Sequence, residues 1–107
     1  MLLVLASLLA STQAAAAPAP PILVVGQRIN DARAKLRACL ARNCPPNEDI
    51  DATLALAETQ IIAGKYRDAR TTLLQSLGRN KDEAARYPIP VSDLYRSNGK
   101  VAAHLGI

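Results

Sequence analysis

The sequence predicts an all-α chain of antiparallel helix-turn-helix repeats behind a signal peptide, and three observations point there. Half of the 107 residues are apolar, yet the only aromatics are Tyr66, Tyr87 and Tyr95. Alanine and leucine must therefore form the core, which favours helices packed through small residues over sheets that draw on β-branched and aromatic side chains. The stretch "INDARAKLRACL" at residues 29–40 returns as "YRDARTTLLQSL" at 66–77, and an offset of 37 aligns Asp31 with Asp68, Ala32 with Ala69, Arg33 with Arg70, Leu36 with Leu73 and Leu40 with Leu77, with Cys39 facing Ser76. Around both copies apolar residues recur three and four apart, and Pro or Gly interrupts each run.

At this length the chain holds one small domain. It opens on "LLVLASLLA", an apolar run followed by small residues that offer an Ala-x-Ala cleavage site, so residues 1–16 read as a signal peptide. A spanning helix would need roughly 20 apolar residues, and here the strongly apolar part stops at Ala10. No Lys or Arg precedes the run, so the usual basic start is missing, as it would be if the initiation codon lay upstream. No Cys lies near the cleavage region, so a lipid anchor is not expected and the mature chain should be periplasmic or secreted, without stable membrane insertion. Residues 17–28 form a linker, "APAPP", and a short β-prone run, "ILVVGQRI", read as an extended lead-in to the helical domain at 29–107.

The first helix starts at Ile29, with Ile29, Ala32, Leu36, Cys39 and Leu40 on one stripe, and ends near Asn43. Pro45 and Pro46 break it, and Asn47 or Asp49 can cap the next. The second helix begins about Ile50 with a stripe of Ile50, Leu54, Ala57 and Ile61; Leu56 and Ile62 lie off it, so the helix must be covered from two directions. Gly64 closes it. The third helix is the repeat at 66–77, stopped by Gly78. "RNKDEAARYPIP" then holds at most a turn or two of helix, and the fourth runs over 91–105 with Val91, Leu94, Asn98, Val101 and Leu105 on one side.

The piece "AETQIIAGKYRDARTTLLQSL" resembles a tetratricopeptide repeat. The resemblance is carried by Leu56 and Ala57, the Gly64-Lys65-Tyr66 turn, Ala69, and then Leu73, Ser76 and Leu77; Thr53 stands where the family usually has a bulky aromatic. "NGKVAAHLGI" matches the first helix of another unit, with Gly99 for Ala57 and Gly106 for Gly64, at a spacing of 42. The family period is about 34 residues, and "KDEAARYP" accounts for the excess. The chain then reads second helix, full pair, first helix. That implies a solenoid segment incomplete at its C-terminal end, either a fragment of a longer chain or one that self-associates through its exposed last helix.

In that family the inner face of the first helices docks ligands. The resemblance therefore implies a partner surface made of Asp51, Leu54, Glu58 and Ile61 beside Arg96, Lys100 and His104, an acidic and apolar patch next to a basic one that suits a protein or peptide segment better than a metabolite. The function expected is an envelope scaffold for protein-protein interaction. The alternatives are the N-terminal segment of a longer envelope protein, such as a TonB-type energy transducer, or a small exported hydrolase or thiol enzyme.

For catalysis the chain offers Cys39, His104 and Asp93, but Cys39 lies in a different unit and nothing marks an oxyanion site. No catalytic, cofactor or metal residue is expected. Cys39 and Cys44 are the only thiols, an even pair in an exported chain, which suggests a disulfide once the helix ends near Asn43 and Cys44 curls back; otherwise Cys39 is simply a small buried residue, like its counterpart Ser76. C-x-x-C spacing and a set of zinc ligands are both missing. Formal charge is +4, with Arg28, Arg33, Lys35, Arg37 and Arg42 concentrated in the first helix and Glu48, Asp49, Asp51 and Glu58 in the second. Without aromatic platforms or a reader motif the basic helix is a solvated face, and no nucleic-acid partner is expected.

Overall fold

The computed structural model describes residues 21–107, so the signal peptide expected at 1–16 and the start of the expected linker lie outside the described residues. Four helices follow one another: α1 Pro21–Ala41, α2 Pro46–Ile62, α3 Tyr66–Asn80 and α4 Pro88–Leu105, with a 3-10 turn at Lys81–Glu83. Among the described residues there is no strand, and no helix is long and apolar enough to cross a membrane. α1 packs on α2, α2 on α3 and α3 on α4, and α4 reaches back to α2.

The proposed extended lead-in is helical, since α1 begins at Pro21. β-prone residues express that preference only against a neighbouring strand, and no strand is present among the described residues. Val25 instead stands one turn before Ile29 and packs with it against Leu36 and Leu56. α1 ends as expected near Asn43, which adopts φ 54°. Cys44 N–H donates to the Cys39 carbonyl and Asn43 N–H to that of Leu40, the paired bonds that close a helix on a left-handed residue.

α2 starts four residues earlier than the apolar stripe implied. Pro45 precedes another proline and is held extended, at φ −60° and ψ 155°. Pro46 then takes the first helical position, where its missing N–H costs nothing. Neither Asn47 nor Asp49 caps the helix, for no side-chain cap bond is made. At the other end Gly64 sits at φ 75°, with Lys65 N–H donating to the Gln60 carbonyl and Gly64 N–H to that of Ile61. Gly106, at φ 74°, closes α4 the same way through Ala102 and Ala103.

Gly78 does not stop α3, which continues to Asn80. A mid-helix glycine costs about 1 kcal/mol relative to alanine, and the last turn is held by Asn80 Nδ2, which donates to the Ser76 carbonyl at 3.0 Å and to Asp49 at 2.9 Å. α4 also begins early, at Pro88, because proline is tolerated in a first turn.

Two apolar clusters result. The larger joins Ile50 and Ala57 of α2, Ala69, Leu73 and Leu77 of α3, and Val91, Leu94 and Val101 of α4. Ala57 and Ala69 are both fully buried there, so small side chains do sit at the helix contact. The smaller cluster is Ile29 and Leu36 of α1 with Leu56 of α2. Leu56 thus faces α1, as its off-stripe position required, while Ile62 remains exposed. The remaining side of the α2–α3 contact is polar, with Asp49, Thr53 and Gln60 buried against Thr72, Ser76 and Asn80.

Candidate functional site

Leu54, Glu58 and Ile61 recur along one side of α2, and Asp93, Arg96 and Lys100 along the side of α4 that faces it. Where the two helices diverge they enclose a groove of about 490 Å³, lined also by Ala57 and Ser97. Leu54, Ala57 and Ile61 give it an apolar centre. Glu58 stands exposed on one wall and Lys100 on the other, and neither takes part in an ion pair among the described residues. Arg96 Nη1 donates to Asp93 Oδ1 at 2.7 Å, which fixes the guanidinium along its own helix. The arrangement offers an apolar floor with one charge of each sign, able to hold an aliphatic side chain between a basic and an acidic residue.

Five of the seven residues expected on a partner surface are therefore brought together, and two are not. Asp51 is exposed one turn earlier on α2, in a separate groove beside α1 with Lys35 and Arg42. His104 does not line the groove with Lys100. Its ring stacks on Tyr66 at the start of α3, with centroids 4.4 Å apart and planes 6° from parallel.

Cys39 and Cys44 are paired as a disulfide, with Cα atoms 5.1 Å apart. Of the three residues weighed for catalysis, each has another partner: Cys39 is in that disulfide, Asp93 accepts from Arg96, and His104 stacks on Tyr66. Among the described residues no three His, Cys, Asp or Glu side chains group as a metal site.

The feature that local sequence reasoning missed is the one around Asp49. Its carboxylate accepts from Arg79 Nε and Nη2, each at 2.8 Å, from Asn80 Nδ2 at 2.9 Å, from Thr53 Oγ1 at 3.0 Å and from Ser76 Oγ at 3.3 Å. Burial alone would push this carboxyl up. The hydrogen bonds from Arg79 and Asn80, the Arg79 charge and the Thr53 hydroxyl outweigh it and hold Asp49 below the ordinary carboxylate value. Extending the 37-residue offset three residues further aligns Arg42 with Arg79 and Asn43 with Asn80, which marks these two as repeated positions but does not name Asp49 as their partner. Compared with known proteins, the chain matches no protein-family model, no curated protein and no solved structure.

Proposed function

We propose that the chain is an exported, tetratricopeptide-like scaffold that holds a segment of another envelope protein in the groove between α2 and α4. The observation that carries this reading is the lining of that groove: Leu54 and Ile61 on its floor, with Glu58 and Lys100 unpaired on opposite walls. An unpaired acid and base facing each other across an apolar floor suit a mixed-charge peptide, because each would gain a charge-assisted hydrogen bond without first breaking one. The tetratricopeptide likeness is supported by the internal repeat, by the matching closures of α2 and α4 at Gly64 and Gly106, and by the burial of Ala57 and Ala69 at one contact. Export is supported by the apolar and small-residue start and by the Cys39–Cys44 pair, a bond that persists in oxidising compartments.

Selection from a random peptide display library on the purified protein tests the reading. Selected peptides should carry an aliphatic residue between an acidic and a basic one, and Leu54→Arg or Lys100→Glu should weaken them by about tenfold or more. Ligands that bind both variants as well as the parent would end this assignment of the groove.

A further inference from the structure

A second concavity, of about 400 Å³, lies on the other side of α2, between α1 and α3. Leu56 and Gln60, which line it, stand about 200° around the helix from Leu54 and Glu58. Its floor is apolar, with Leu36 and Leu56 nearly buried and Leu40 half-buried. Its rim is rich in hydrogen-bond donors. Arg33 and Arg37 of α1 line it one turn apart, and among the described residues neither joins an ion pair.

Gln60 adds a donor from below. Its side chain is only 2% exposed, and its Oε1 accepts from the Thr72 hydroxyl at 2.8 Å. Nε2 makes no hydrogen bond among the described residues and meets solvent where the side chain lines the groove. One carboxylate, Asp68, lies on the α3 side.

We propose that this groove binds an extended, acidic protein segment, with carboxylates on Arg33 and Arg37, an oxygen on Gln60 Nε2 and one aliphatic side chain on Leu36, Leu40 and Leu56. The same chemistry disfavours the other polyanions. No aromatic side chain lines the groove to stack a base. A concave surface between helices likewise meets a membrane poorly. The site is separate from the α2–α4 groove, so either can fail without the other.

Fluorescence anisotropy with a short labelled peptide of alternating Glu and Leu tests the proposal on the disulfide-bonded protein. Arg33→Ala with Arg37→Ala should weaken binding by at least about tenfold, and Thr71→Glu, which places a like charge on the rim, should weaken it as well. Arg28→Ala with Lys35→Ala removes the same charge from the other side of α1 and should leave binding unchanged. An equal loss for both double variants, equal binding of an oligothymidylate of the same charge, or no peptide binding at low ionic strength would each overturn the proposal.

Discussion

Asp49 and Arg79 are 30 residues apart in sequence and meet side-on, Nε donating to Oδ2 and Nη2 to Oδ1, both at 2.8 Å. The pair joins the first turn of α2 to the last turn of α3. The Asp49 side chain is nearly buried, at 6%, whereas that of Arg79 keeps 34% exposure and can turn to water when its partner is lost. Asp49→Asn should therefore cost about 2 to 3 kcal/mol, near the lower end for breaking a buried ion pair, as read by urea unfolding. A midpoint equal to that of the parent would show that the pair adds nothing to stability.

The same carboxylate sets an acid limit. Its folded pKa lies below its unfolded one, so its contribution is fully present above about pH 4 and is lost as pH falls through the folded value. Melting temperatures of the parent should drop on acidification below about pH 4 more steeply than those of Asp49→Asn. Parallel profiles for the two proteins would remove Asp49 as the cause.

Ala69 has no exposed surface, while Thr71, two residues on, is exposed. Ala69→Leu forces added methylenes into the contact shared with Ala57 and should cost about 1 to 3 kcal/mol, whereas Thr71→Leu should stay within about 0.5 kcal/mol. Thermal or urea unfolding of both variants provides the measurement, and equal midpoints would place Ala69 outside any helix contact.

The disulfide closes a short loop across the end of α1. Thiol titration of the protein purified without reductant, under denaturing, non-reducing conditions, should find no free sulfhydryl, and reduction should lower stability by about 2 kcal/mol on chain-entropy grounds. Two titratable thiols in the unreduced protein would remove the cross-link.

Stacking of His104 on Tyr66 replaces the expected place of His104 in the partner groove. A double-mutant cycle of His104→Ala and Tyr66→Ala should return a coupling of about 0.5 to 1.5 kcal/mol. Any peptide selected on the proposed α2–α4 groove should bind His104→Ala as it binds the parent, and a tenfold loss would return the ring to the groove.

The helices were legible wherever their signals were local. Ile29, Leu36 and Cys39 share a stripe because they recur at helical spacing, and Asn43 and Gly64 mark ends because a left-handed backbone selects those residues. Leu54, Glu58 and Ile61 could be grouped for the same reason, as could Arg96 and Lys100. What could not be read depends on distant partners. Gly78 looked like a stop, yet Asn80 is held in the helix by a carboxylate on α2. Residues 21–28 looked extended because propensity carries no knowledge of whether a strand waits beside them. Asp49 drew notice as a helix-terminus acid. Its burial depends on α3 lying across it, which no spacing within α2 encodes.

The α2–α3 hairpin is tied at both ends, by the Lys65 N–H to Gln60 carbonyl bond at its turn and by Asp49 with Arg79 and Asn80 at its open end. α1 is joined to it through the smaller apolar cluster and an exposed Arg42–Glu48 pair at 2.9 Å, a kind of contact worth little. The hairpin should consequently behave as one cooperative unit in hydrogen exchange, its central amides opening together and late, while those of α1 exchange by a separate and cheaper local opening. Two exchange regimes in so short a chain would leave α1 free to leave and rejoin its seat without unfolding the pair it rests on.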